Sequence, residues 1–158
     1  MLSLNKTITR SLMVVGLLGV LVSGLVIMEG CVLGTVGASS SPCTEGGLTA
    51  QEAFKLIEDN ENNADFVIID LRLPQDFAEE HIAGAININY SSETFQDELN
   101  KLDRNKTYLI CGYCTCGGVG WNAYRTMEGL GFKKVCNMWA GIEEWREEGL
   151  PTVKGSPA

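Results

Sequence analysis

The chain is short of histidine and of positive charge. Its 158 residues hold one histidine, His81, and twelve lysines and arginines against twenty acids, a formal charge of −8. One histidine excludes a multi-histidine metal site, and a structural hydrogen bond is the expected role for His81. A surplus of acid repels phosphate backbones and argues against a general nucleic-acid binder. Four prolines in a balanced composition argue against a largely disordered chain. Six cysteines are too few and too uneven for a small disulfide scaffold. Three of them, Cys111, Cys114 and Cys116, crowd into six positions. Such crowding marks chemistry more often than stapling.

The amino terminus is apolar where the rest is not. Residues 1–11 carry Lys6 and Arg10 and no acid, and residues 12–28 carry no charge at all. A helix there would have no polar face, and a basic start before an apolar run is the pattern of an export signal or a membrane anchor. The run ends Glu29-Gly30-Cys31, which resembles a bacterial lipoprotein cleavage site with Cys31 as the lipidated residue. Lipidation and an uncleaved anchor both place the remaining chain outside the cytoplasmic membrane and tethered to it. Residues 1–30 are therefore expected to be a signal peptide or anchor. Residues 31–47, rich in glycine and serine, are expected to be a flexible linker. Cys43 lies in that linker and is either free or paired.

From Leu48 onward helical and strand patterns alternate. Thr49 and Glu52 have capping-box spacing ahead of an apolar stripe at Ala53, Phe54, Leu56 and Ile57. Residues 66–69 form a continuous apolar run that stops at Asp70, as suits a strand covered on both faces. Pro74 suits the first turn of a short helix. Further strands are expected at 85–88, 108–110 and 134–138, and helices at 94–102, 119–130 and 142–148. Cys136 falls in the last strand and is expected to be a core residue. This alternation implies an α/β sandwich whose central parallel sheet is flanked by helices. No repeat is evident.

The informative stretch is residues 108–121. It runs from a strand through a glycine-rich loop, Cys114-Thr115-Cys116-Gly117-Gly118-Val119-Gly120, into a helix. Loop amides and a helix N-terminus gather positive partial charge there, which favours a thiolate, a persulfide anion or a bound oxyanion. Glycines let the loop curl so that several amides turn inward.

Four pieces of the chain resemble the rhodanese family of sulfurtransferases. They are Val67-Ile68-Ile69-Asp70-Leu71-Arg72; Glu80-His81-Ile82-Ala83-Gly84-Ala85-Ile86-Asn87; Tyr113-Cys114-Thr115-Cys116-Gly117; and Leu130-Gly131-Phe132 followed by Met138-Trp139-Ala140-Gly141-Ile142, Trp145 and Gly149-Leu150-Pro151. The resemblance implies a rhodanese-like three-layer sandwich over residues 48–154. It implies a cysteine that takes a sulfane sulfur from a small donor such as thiosulfate and passes it to cyanide or a thiol, with no cofactor. Counting back from Gly131-Phe132 puts Cys114 at the catalytic place. Counting forward from the strand at Tyr108 favours Cys111, because this chain carries a short insertion here. Asp70 and Arg72 are expected to support the site by pairing with each other. Residues 115–120 hold no lysine or arginine, where many relatives carry a basic residue that holds an anionic donor. Thiosulfate is therefore the less secure donor, and thiolate stabilisation is expected to rest on amides and the helix end.

Other readings of the cysteines compete. A cysteine phosphatase needs an arginine six positions beyond its nucleophile, and positions 117 and 120 are both glycine. Cys111, Cys114 and Cys116 also have the spacing of a thiol–disulfide redox protein. Metal binding by these three with Cys136 finds no second paired motif in the chain. A tethered module that carries sulfur or docks a partner without turnover fits the same residues. Trp121, Trp139 and Trp145 are expected in the core or a pocket wall. Arg125 is expected at the surface, and Glu143, Glu144, Glu147 and Glu148 on a solvated helix face.

Overall fold

The structure is a computed structural model and describes Cys43 and residues 47–113 and 118–155. The apolar run at 12–28 and Cys31 lie outside the described residues. Among the described residues no helix is long and apolar enough to cross a membrane.

Thr49 and Glu52 make the capping box their spacing predicts. The Thr49 hydroxyl accepts from the Glu52 N–H at 3.2 Å, and the Glu52 carboxylate accepts from the Thr49 N–H at 2.9 Å. Helix α1 (Ala50–Glu58) starts there. Strand β1 (Phe66–Asp70), helix α2 (Pro74–Glu79), strand β2 (Ala85–Asn87), helix α3 (Phe95–Asn100) and strand β3 (Thr107–Cys111) follow. Helix α4 (Val119–Gly129), strand β4 (Lys134–Met138) and helix α5 (Gly141–Glu147) complete the set. Gly131, at φ +89°, supplies the left-handed residue after α4.

The four strands are parallel in the order β2-β1-β3-β4. The continuous apolar runs are explained by two cores. Ile68, Leu109, Cys111, Cys136 and Met138 pack under α1, α2 and α5 through Ala53, Phe77, Ile142 and Trp145. Ile69, Tyr108, Ile110 and Val135 pack under α3 and α4 through Phe95, Leu99, Ala123 and Met127. The chain leaves β1 toward β2 on one side and leaves β3 toward β4 on the other. The crevice between the carboxyl ends of β1 and β3 is thus the topological switch point, where open α/β sheets bind ligands. Asp70 and Cys111 end these two strands in register, and the Leu71 N–H donates to the Cys111 carbonyl at 2.8 Å.

The glutamates expected on a solvated face do more than solvate. Glu144 accepts from the Ala50 N–H at 2.9 Å, and Glu148 accepts from Gln51 Nε2 at 2.9 Å. They hold the start of α1 against α5. Of the linker expected over 31–47, the two described residues are tied down. Cys43 forms a disulfide with Cys136, so Cys136 is a buried core residue and also one half of a bridge. Gly47 leads into Leu48, which bridges Met138 at the β4 edge. The Leu48 N–H donates to the Asn137 carbonyl at 2.7 Å, and the Trp139 N–H donates to the Leu48 carbonyl at 2.8 Å. The disulfide closes a sequence separation of 93 residues. Cys43→Ser is expected to lower stability by about 2–4 kcal/mol, read as a lower urea midpoint that reductant reproduces in the wild type.

Candidate active site

Asp70 ends β1 fully buried, and its carboxylate needs partners. Arg72 supplies them from two residues on, also buried. Arg72 Nε donates to both Asp70 oxygens at 3.0 and 3.1 Å, and Nη2 donates to Oδ2 at 2.7 Å and to the Glu80 carbonyl at 2.6 Å. The Arg72 N–H also donates to Asp70 Oδ1 at 2.9 Å. Burial weakens the hold of Arg72 on its proton, but the hydrogen bonds and charge of Asp70 outweigh it and raise its pKa. The two side chains pair with each other, and Arg72 ties the end of β1 to the start of the segment after α2.

Cys111 ends β3, 1% exposed, as a free thiol in the core. Burial pushes its pKa well up, and the Asp70 carboxylate pushes it further; Arg72 and Arg146 oppose this without overcoming it. Its Sγ lies 3.5 Å from the Gly112 carbonyl. A sulfur so placed stays protonated at neutral pH, which is the chemistry of a packing residue rather than a nucleophile.

Beyond Cys111 the chain is clamped on both sides. The Tyr113 hydroxyl donates to Asp76 on α2 and accepts from the Leu73 N–H at 3.2 Å. Burial raises the Tyr113 pKa, and the bond to Asp76 raises it further, so the phenol remains a donor. On the other side the Ile142 N–H donates to the Gly112 carbonyl at 3.0 Å. Gly141, at φ +65°, lies so close that a Cβ there would overlap the Tyr113 carbonyl oxygen and sit 2.6 Å from that of Gly112. Only glycine fits both the conformation and the approach. Gly141→Ala is expected to cost roughly 1–3 kcal/mol and to displace the loop entry. Paired measurements of unfolding and of sulfur uptake check this, with uptake falling more than stability alone explains.

Cys114, Thr115, Cys116 and Gly117 lie outside the described residues. The chain re-enters at Gly118, φ +63°, the N-cap of α4, which has no side-chain cap. Asn122 N–H donates to the Gly118 carbonyl at 2.8 Å. The first-turn N–H groups of α4 have no intrahelical partner, and their partial positive charge faces the loop. Asn137 of β4, 8% exposed, lies against this turn. A Cβ on Gly120 would overlap its Oδ1, which has no hydrogen-bond partner among the described residues. An unpaired buried oxygen costs about 1–3 kcal/mol. Asn137, Asp76 and the Gly141 contact were all missed in the sequence reading. A polar residue inside an otherwise apolar strand was the signal for Asn137.

His81 is structural. Its Nδ1 lies 2.7 Å from the Phe77 carbonyl, and its ring stacks on Phe77 at 3.7 Å. Trp145 is core, with Nε1 donating to the Pro151 carbonyl at 3.0 Å. Trp121 and Trp139 are not core but exposed, 41% and 57%. Arg125 is exposed, and its guanidinium lies 5.9 Å from the centre of the Trp121 ring. Among the described residues no cluster of histidine, cysteine and acid could hold a metal ion.

The model of the rhodanese-like domain family matches residues 49–148. The chain belongs to the rhodanese-like domain family. It is 32% identical over 108 residues to the uncharacterised protein YibN of Escherichia coli (strain K12), covering 68% of this chain and 72% of YibN. It is 30% identical over 95 residues to the thiosulfate sulfurtransferase GlpE of Coxiella burnetii (strain RSA 331), covering 60% of this chain and 81% of GlpE. Among solved structures, a rhodanese-related protein of Thermoplasma volcanium superposes with a TM-score of 0.56 at 25% identity, covering 68% of this chain and 96% of that one. The rhodanese-like sandwich expected from the four motifs is therefore the fold, with its parallel four-stranded sheet between helices.

Proposed function

We propose that the protein is a sulfurtransferase in which Cys114 carries a sulfane sulfur as a persulfide. The observation that carries this reading is the path of the chain. It leaves β3 at the switch-point crevice, clamped at Gly112 and Tyr113, and returns at the uncapped N-terminus of α4. In sequence, Cys114 to Gly117 join Tyr113 to Gly118, the N-cap of α4, whose first-turn N–H groups lack intrahelical partners. Such groups favour a thiolate over a thiol and a persulfide anion over its acid. Cys111, buried and protonated, leaves the role to Cys114, with Cys116 two positions on.

In the first step the Cys114 thiolate attacks the outer sulfur of the donor. A Cys114 Sγ–S bond forms, the donor's S–S bond breaks, and its electron pair leaves with the donor remnant, sulfite if the donor is thiosulfate. In the second step an acceptor nucleophile, cyanide or a thiolate, attacks the outer sulfur and returns Cys114 to thiolate. Relatedness to a thiosulfate sulfurtransferase supports the reaction class.

The reading includes an extracytoplasmic domain tethered through residues 1–30 or a lipid on Cys31. The Cys43–Cys136 disulfide supports it, because such bonds persist in oxidising compartments. Mass spectrometry of the full chain after brief exposure to a sulfane donor tests the function. The expected result is a gain of one sulfur atom located on Cys114. No gain, or a gain on Cys111, overturns it.

A further inference from the structure

We infer that the groove between the end of α1 and the amino ends of β1 and β2 binds a basic, apolar segment of a partner polypeptide. Such a segment sets a cationic side chain beside a large apolar one. The inference does not rest on the sulfurtransferase reading. Phe66 and Ala85 begin β1 and β2 at this groove, whereas Asp70 and Cys111 end their strands at the other edge of the sheet.

The groove has a volume of about 430 Å³, within the roughly 300–1,000 Å³ of ligand sites. Phe54 and Ile57 of α1 and Phe66 and Ile68 of β1 line it, and Ala83 and Gly84 close its other side. Phe54, Ile57 and Phe66 are only partly buried, so each leaves ring or aliphatic surface to the groove. The space beside Gly84 is open, since a Cβ there would meet nothing within 4 Å. A large apolar side chain seated here would gain by leaving water.

The charges select what binds there. Glu58 and Glu61 stand exposed on the rim, and neither carboxylate has an ion pair or side-chain hydrogen bond among the described residues. Glu58 ends α1 and Glu61 follows three residues on, at the negative end of that helix. Acids there oppose the helix dipole and cost stability, where a cation would be favoured. The lysines of this end are committed elsewhere. Lys55 pairs with Asp59 at 3.0 Å, and Lys106 donates to the Ala64 carbonyl at 2.8 Å. The rim amides are engaged as well. Asn60 Nδ2 donates to the Leu56 carbonyl at 2.8 Å, and Asn63 Nδ2 donates to Asn60 Oδ1 at 2.8 Å. No lysine, arginine or histidine lines the groove. Two unpaired carboxylates and the carbonyl end of a helix beside an apolar cleft thus complement a ligand that is both cationic and apolar. An acidic segment meets repulsion, and a polar basic one leaves the cleft unfilled.

The test uses the full chain in neutral detergent and three peptides: acetyl-Arg-Phe-Leu-Arg-amide, acetyl-Glu-Phe-Leu-Glu-amide and acetyl-Arg-Ser-Ser-Arg-amide. Binding is read from amide chemical shifts by NMR. The expected result is saturable shifts at residues 57–63, 66 and 83–84 with the first peptide, and binding about fivefold or more weaker with each of the others. The first affinity should fall as salt is raised. Glu58→Gln with Glu61→Gln is expected to weaken the first peptide by about fivefold. The same double variant should unfold at a urea concentration equal to or above that of the wild type, because it removes acids from the negative end of α1. Ala83→Lys, which brings a cation to the groove, should weaken binding in the same direction. An acidic or a polar basic peptide that binds as well as the first overturns the inference. So do shifts confined to other residues, or an affinity that the double variant leaves unchanged.

Discussion

Cys114→Ser is expected to abolish sulfur uptake and to reduce donor-to-cyanide turnover by more than about a thousandfold. A serine hydroxyl at neutral pH is not ionised by a helix terminus, and an alkoxide forms no persulfide with a sulfane donor. The loss is chemical and not structural, so the variant should unfold at the wild-type denaturant concentration. Cys116→Ser should lose only a few-fold, since a neighbouring thiol can shield or resolve the persulfide but does not carry it. Cys111 is the internal control. Its sulfur is walled into the core above β3 and held protonated by burial and by Asp70. Cys111→Ala should keep uptake while losing stability, because the cost is a small cavity and not a reaction. In the native protein a short pulse of iodoacetamide should label Cys114 and leave Cys111 untouched. Labelling of Cys111 before Cys114, or full uptake by Cys114→Ser, would falsify the site assignment.

The elements were legible in the sequence because each is announced by a local signal. The capping box at Thr49 and Glu52, Pro74 at the first turn of α2 and Gly131 after α4 all act within a few residues of where they stand. The two-sided burial of β1 and β3 was legible for a similar reason, since a run without polar alternation has no face to give to water. Contacts set by chain packing were not legible. Nothing near Glu144 announces that it caps a helix 94 residues away. Trp139 and Trp121 have the composition of core residues, and only the topology turns them outward at the carboxyl end of the sheet. Cys43 finds Cys136 because Leu48 runs beside β4, a pairing that no spacing encodes. The site shows the same division. The cysteine loop and its glycines could be picked out from one stretch, whereas the clamps at its entry, Asp76 from α2 and Gly141 from α5, come from elements 37 residues before Tyr113 and 28 after it.

Asp70→Ala is expected to cost about 3–5 kcal/mol, a large share of the roughly 5–15 kcal/mol that holds a domain of this kind together. The reason is what the substitution leaves behind. Arg72 is 1% exposed, and its guanidinium has the Glu80 carbonyl as its other partner. Without Asp70 that charge is neither hydrated nor neutralised, and an arginine does not shed its proton to escape. Arg72→Ala strands the buried Asp70 carboxylate in turn. The paired removal Asp70→Leu with Arg72→Met should therefore be less damaging than either single change. Urea unfolding of the four proteins gives the coupling directly. Additive losses would mean that the pair is not the unit argued for. The Asn87 side chain, donating to the carbonyls of Asp70 and Arg72 at 3.0 and 2.9 Å, fastens this corner to β2. The N–H of Leu73, the next residue, donates to the Tyr113 hydroxyl, so slack in the pair reaches the entry of the cysteine loop. Sulfur uptake should therefore fall in Asp70→Ala even at temperatures where the variant remains folded, and recover in part in the paired variant.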